Sequence, residues 1–324
     1  MRLGWCALLL PVMTLGCGRS EPKTAQKLAK VRVAFTHHLS WGPLMIAQAE
    51  GFFREEGVEV EFVPALRTEE SLVALATGDI DVRGGPVLAG LLSAVAQGAK
   101  IRITASQGYL DPKGCTYYGI VLRPGLDTVG TPRIKRMRVS QDGMSRYMVS
   151  RMLAKHNVDL SAIETNRLPE SMMAGSLESG AIDAVATSEP TLLRMVKIGK
   201  LWLSAQDALP DFEWGVLAFS ERLAFRERDT GIRFIRAYNR GVARFREGKT
   251  ARNVAIIAEA TGETPEITRE ACWPSFRVDS RINWQSIAEF QAWAKVEGLM
   301  ERTVSRDQVW DSTFVTASAQ PSNR

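Results

Sequence analysis

Two adjacent histidines, His37 and His38, open the stretch FTHHLSWGPLMIAQAEGFFREEGVEVEFV (35–63). Imidazoles bind metals and move protons near neutral pH. A metal centre, however, needs three or four convergent ligands. The chain has three histidines in all, and the third, His156, falls in a distant helix. Neighbouring side chains in a loop also point apart as a rule. No metal and no cofactor are therefore expected. His38 is kept as a hydrogen-bonding candidate toward a ligand, with a solvated or packed role as the alternative. The sequence has no Gly-x-Ser-x-Gly, no His-Glu-x-x-His and no phosphate-binding loop, so binding is expected rather than catalysis.

The chain has 324 residues, 45% hydrophobic and 24% charged, with a formal net charge of +5. That length suits two lobes better than one small core. Mild basicity without Lys/Arg runs argues weakly for anionic partners and not for nucleic acid. Met1-Arg2 and a short apolar segment ending at Gly16-Cys17 have the layout of a secretory signal peptide. The sequence TLGC resembles a bacterial lipoprotein box, although Thr14 stands where Leu is usual. The expectation is a signal peptide over 1–16 and a lipidated, flexible tether over 17–30 with the lipid on Cys17. Ordinary cleavage or a retained anchor is the alternative. No other apolar run approaches the roughly 20 residues of a membrane-spanning helix. Cys115 and Cys272 are read as two small buried thiols, although export permits a disulfide.

The first histidines sit in a strand–loop–helix–strand unit. VRVAF is β-branched and apolar, Gly42-Pro43 starts a helix, and Val58, Val60 and Phe62 alternate as a second strand. DIDVR then reads as a strand, GGPVLAGLLSAVAQG as a helix begun by Pro86, and KIRITAS as a strand. A second series repeats the pattern: RMRVS, GMSRYMVSRMLAKH, IETNRL, PESMMAGSLES, AIDAVAT, EPTLLRMVKIG and LWLSA. Leu75-x-x-Gly78-x-Ile80-Asp81 returns as Leu177-x-x-Gly180-x-Ile182-Asp183. Alternating strands and helices imply an α/β fold with mostly parallel sheets. The remainder reads as helices whose Phe and Trp stripes are core. GCTYYGIVLRPGLD and EWGVLAFSER are extended runs that can join the lobes. The division expected is lobe one over 31–120, lobe two over 121–214, and a return to lobe one over 215–324.

WGPLMIAQAEGFFREEGVEVEFV, LVALATGDIDVRGGP and LESGAIDAVATSEP, in that order, resemble the solute-binding proteins of ABC importers. The group they are most similar to includes sulfonate, taurine, nitrate and thiamin-pyrimidine-precursor binders. The resemblance covers nearly all of the mature chain and is poorly specific for the ligand. It implies a type II periplasmic-binding-protein fold: two α/β lobes on a two-strand hinge, with C-terminal helices on lobe one. It also implies a monomer in the periplasm or at the cell surface that hands a small-molecule ligand to an ABC permease in the inner membrane. A partnership with a membrane sensor is the alternative. Enzymes of the same fold are not favoured, because the cysteine-rich motif of the pyrimidine-forming relatives is missing.

Ligands of open α/β sheets sit beyond the carboxyl ends of strands, near helix starts that suit anions. Four loops qualify. The first offers Thr36, His38, Trp41 and Gly42. The second offers Gly84 and Gly85 beside Arg83, for which a surface salt bridge is favoured over an anion contact. The third offers Ser140, Gly143 and Ser145, with Asp142 either capping the helix or repelling an anion. The fourth offers Glu189, which can accept from a ligand N–H or from a helix N-terminus. Trp214, at the return crossing, is an eleventh candidate. A small organic anion is the first expectation for the ligand, and a planar heterocycle the second.

Overall fold

The computed structural model describes residues 28–64, 68–126 and 130–320. The signal peptide, Cys17 and most of the tether fall outside the described residues. One sheet contains β1 (Ala29–Phe35), β2 (Val58–Pro64), β3 (Val82–Pro86), β4 (Arg102–Tyr109) and β10 (Glu213–Phe219), in the order β2-β1-β3-β10-β4. The other contains β5 (Tyr118–Leu122), β6 (Arg136–Arg138), β7 (Glu164–Asn166), β8 (Ala184–Ser188) and β9 (Lys200–Ser204), in the order β7-β6-β8-β5-β9. The two orders are the same plan. β1 pairs in parallel with β2 and β3, as β6 does with β7 and β8. β10 runs antiparallel between β3 and β4, as β5 does between β8 and β9. Each antiparallel strand arrives from the other sheet, so the chain crosses between lobes after β4 and again before β10.

The repeated Gly-x-Ile-Asp motif explains why the two halves fold alike. Asp81 is fully buried and accepts the Arg32 backbone N–H at 2.8 Å, while its own N–H donates to Arg32 O at 2.8 Å. Asp183 accepts the Arg136 N–H at 3.0 Å and donates back to Arg136 O at 2.8 Å. The arginine side chain closes the turn in both, reaching Gly78 O at 2.6 Å in one lobe and Gly180 O at 3.1 Å in the other. A second arginine, just past the antiparallel strand, completes each cluster: Arg222 Nε lies 2.9 Å from Asp81 and Arg123 Nε 3.1 Å from Asp183. Removing one partner of such a buried pair typically costs about 3–5 kcal/mol.

Two sequence boundaries move. The third strand begins at Val82 and continues through Gly84-Gly85-Pro86, and the following helix starts at Ala89. Pro86 therefore ends a strand instead of starting a helix: Gly84, Gly85 and Pro86 pair with Leu217, Val216 and Gly215 of β10. The Arg228–Arg246 helix buries Phe234, Ile235, Tyr238, Val242 and Phe245 against lobe one. Its Gly241 is small because a Cβ there would stand 2.1 Å from Pro43 O. The Trp284–Val296 helix straddles both lobes, with Trp293 and Phe290 set 5.4 and 5.8 Å from Tyr147 of the Gly143–Ala154 helix.

Cys115 and Cys272 are a disulfide, not two thiols, with Cα atoms 5.7 Å apart across 157 residues of sequence. Separation in sequence concealed the pairing: the first crossing carries Cys115 to the segment that follows the Pro265–Glu270 helix. Closing so long a loop typically stabilises by about 2–4 kcal/mol. Next to it lies Glu189, which is buried, and its Oε2 accepts the Leu193 N–H at 3.2 Å. Burial pushes this carboxyl up to about 7, against the Leu193 and Cys272 backbone bonds and the nearby Lys249 charge. The folded state thus holds a proton that the unfolded chain, titrating near 4.5, has released. This contribution to stability is full below pH 4.5 and is lost as pH rises through about 7. Glu189→Gln is expected to flatten the decline of Tm across that window, measured by thermal unfolding. An unchanged slope would assign the decline to another group.

Candidate functional site

The carboxyl ends of β1, β3, β6 and β8 converge on one cleft between the lobes, with a cavity of about 480 Å³. That volume suits a small organic molecule. Of the eleven sequence candidates, Thr36, His38, Trp41, Gly84, Gly85, Ser140, Ser145 and Trp214 line the cleft. Gly42, Gly143 and Glu189 do not. A Cβ on Gly42 would meet the Phe245 ring at 2.3 Å, so this glycine serves helix packing, whereas a Cβ on Gly143 would make only ordinary contact, at 3.5 Å, with Phe290 and Leu299. Glu189 is turned to the backbone of the Thr191–Val196 helix, as one of its two readings anticipated.

The histidines point apart. His37 is exposed, with Nδ1 2.6 Å from Ala260 O. His38 joins three parts of the chain. Its Nδ1 receives the Ser40 backbone N–H at 3.4 Å and faces Tyr117 Oη at 3.3 Å and Ser40 Oγ at 3.1 Å. Its Nε2 faces Ser188 Oγ of lobe two at 3.4 Å. Donors at Nδ1 assign the proton to Nε2, which then donates to Ser188. Burial holds the imidazole pKa below its ordinary value, opposed by the charge of Glu170. Among the described residues, no group of three or more His, Cys, Asp or Glu stands ready to hold a metal ion.

The aromatic wall is built by close backbone approach. Trp214 stacks on Tyr117 with centroids 5.5 Å apart and planes at 21°. It lies against Gly108, whose φ of +138° suits glycine and where a Cβ would strike the indole at 2.4 Å. Trp41 is buried and packs edge-on against Phe35 at 5.4 Å, so only its rim borders the cleft. Among the described residues, two buried polar atoms of cleft-lining residues, Trp214 Nε1 and Tyr118 Oη, have no hydrogen-bond partner.

Charge enters the cleft from both lobes. Arg83 is buried in the cleft wall and not at the surface as expected; its Nε donates to Ser71 Oγ and its Nη1 to Pro86 O, both at 3.2 Å. Arg138 was missed altogether. It is half-buried at the end of β6, and donates to Ala186 O at 3.2 Å and Leu168 O at 3.4 Å. It forms no ion pair with a carboxylate among the described residues. Burial pushes its pKa down, with Tyr118, Glu170 and Asp142 opposing, and a guanidinium stays protonated regardless. The signal was present in the sequence: Arg138 stands at the carboxyl end of a strand, where ligands of this architecture sit. Asp142 caps the Gly143–Ala154 helix, accepting the Ser145 N–H at 2.8 Å and the Ser140 hydroxyl at 2.5 Å. At the mouth, Arg194 of lobe two grips both oxygens of Glu263, in the connection between the Ala251–Thr261 and Pro265–Glu270 helices, at 2.6 and 2.7 Å, and approaches Glu170 at 3.6 Å. Lys197, at the end of the Thr191–Val196 helix, bridges to Glu270 at 2.9 Å.

YtlA of Bacillus subtilis (strain 168) is 23% identical over 252 residues, spanning 73% of this chain and 72% of its own. The ligand-binding component of an ABC-type import system from Staphylococcus aureus, solved with zinc bound, superposes with a TM-score of 0.72 at 13% identity, covering 90% of this chain and 99% of that one. The periplasmic aliphatic sulphonate binding protein SsuA of Escherichia coli gives 0.68 at 15% identity, covering 87% and 92%. These superpositions give the fold, that of the periplasmic binding proteins. The NMT1-like family model matches residues 24–259, most of the chain, and the protein belongs to that family.

Proposed function

We propose that this protein is the solute-binding component of an ABC importer, which captures a small organic anion between its lobes and releases it unchanged to a permease. The observation that carries the reading is Arg138. A half-buried cation lining a cleft, held by two backbone carbonyls and, among the described residues, in no direct ion pair with a carboxylate, is suited to receive an anion. The unpartnered Trp214 Nε1 supports it, since an indole N–H can only donate and calls for an acceptor on the ligand. The solute-binding neighbours and the sulphonate bound by SsuA agree with this class. The planar-heterocycle alternative has less support: Trp41 is packed edge-on, one face of Trp214 is covered by Tyr117, and Glu189 caps a helix.

The pairs across the mouth support capture by closure. Arg194–Glu263, Lys197–Glu270 and His38–Ser188 join groups of opposite lobes and favour the closed state, and a ligand that touches both lobes adds to that preference by its differential affinity. The anchor in this reading is a lipid on Cys17, which keeps the protein beside its permease at the outer face of the membrane.

A screen of organic anions by thermal shift on residues from about 30 onward is expected to find a stabilising sulfonate or carboxylate. That ligand should be recovered intact by mass spectrometry. Arg138→Met, which keeps the apolar stem, should weaken it about 10–100-fold, the worth of one charge-assisted bond. Stabilisation by metals alone, or full affinity in the Met variant, would refute the anion reading. For the anchor, mass spectrometry of the expressed full chain should show a lipidated species that disappears in Cys17→Ala; its persistence would exclude Cys17 as the lipid site.

A further inference from the structure

We infer that Asp142 sets the charge of the ligand, admitting one anionic group and excluding a second. The inference rests on the reading of Arg138 as the anion receptor and goes on to specify the ligand's other end. The Gly143–Ala154 helix has 12 residues, and its N-terminus is the place on lobe two where free N–H groups would take an anion. Here the protein's own carboxylate occupies that place. Asp142 lines the cleft, and its two oxygens accept from the Ser145 N–H and the Ser140 hydroxyl. A carboxylate has about four acceptor positions, so two remain open. A second anionic group brought here would meet a like charge in a half-buried setting, where repulsion is only partly screened. A hydrogen-bond donor would meet an acceptor.

The neighbouring Tyr118 hydroxyl, on a side chain only 6% exposed, is an independent sign that this corner receives a ligand. On lobe two the other charged lining groups fit the same polarity, while lobe one contributes Arg83 and Glu263. Glu170 adds a second negative charge on this lobe and bonds Thr191 Oγ1. Among the described residues Arg138 is the one lining cation of lobe two, and the charges of Glu170 and Asp142 both act on it. The ligand class that matches is a monoanion with an ammonium, amide or hydroxyl at its far end. Dianions and bare inorganic anions are disfavoured.

The test is calorimetric titration of propanesulfonate, its ω-amino derivative and the matching disulfonate into the wild type, Asp142→Asn and Asp142→Ser. Asn and Ser are both good N-caps, so the helix is preserved while the charge is removed. The wild type is expected to bind the amino derivative at least about tenfold more tightly than the disulfonate, and both variants to narrow that ratio by about tenfold. Binding of the sulfonates with the same ratio in wild type and both variants would overturn the role of Asp142 and leave the Arg138 receptor standing. Failure of all three sulfonates to bind any of the proteins would overturn the sulfonate-type receptor itself, and this inference with it.

Discussion

Asp81 and Asp183 are the points from which the two sheets are built. Each carboxylate is taken out of water at the start of a β-strand and must be neutralised there. Burial alone would raise their pKa values. The guanidinium and backbone N–H bonds outweigh it, and both carboxyls titrate below their ordinary range. In each lobe that neutralisation uses the backbone of the first strand and one arginine just beyond the crossing strand. The same contacts therefore fix which strand is central, which neighbours it in parallel, and where the chain returning from the other lobe is fastened. Strand order follows, and with it the convergence of four strand ends on a common cleft.

Against this rule the exception is informative. Glu213, also fully buried, is met by Ser106, Arg277 and the Asn283 N–H, and Glu263 is met by Arg194. Among the described residues Arg138 hydrogen-bonds only carbonyl oxygens, and the carboxylates that act on it, Glu170 and Asp142, do so without a direct ion pair. A buried charge without a direct partner is costly. The helix starts around it are consumed by the protein itself: His38 caps the turn that leads into the Gly42–Ala49 helix, and Asp142 caps the Gly143–Ala154 helix. In the proposed reading, recognition falls to side chains instead of helix termini, and side chains can demand more of a ligand than a single negative charge.

The architecture was legible because it is written in local chemistry. Period-two runs, Gly turns and the repeated Gly-x-Ile-Asp read directly as two βα series, and the two crossings as extended runs. Loops that reach the cleft were also legible, since strand ends locate them. What a side chain does within a loop was harder. Gly42 reads as a ligand glycine, but it is required by the Phe245 ring, from a helix more than one hundred residues away in sequence, and Gly143 lies off the cleft beside Phe290. Cys115 and Cys272 look unrelated until the crossing and the C-terminal return are folded together. Arg138 reads as an ordinary strand residue, because nothing local reveals that no carboxylate will reach it.

The most direct measurement of the central claim is a crystal structure of the protein with an organic anion that stabilises it. The account predicts the anionic oxygens within hydrogen-bonding distance of the Arg138 guanidinium and of Trp214 Nε1, with the lobes joined over them by Arg194 and Glu263. An anion seated elsewhere, with Arg138 still bonded only to Ala186 O and Leu168 O, would contradict it.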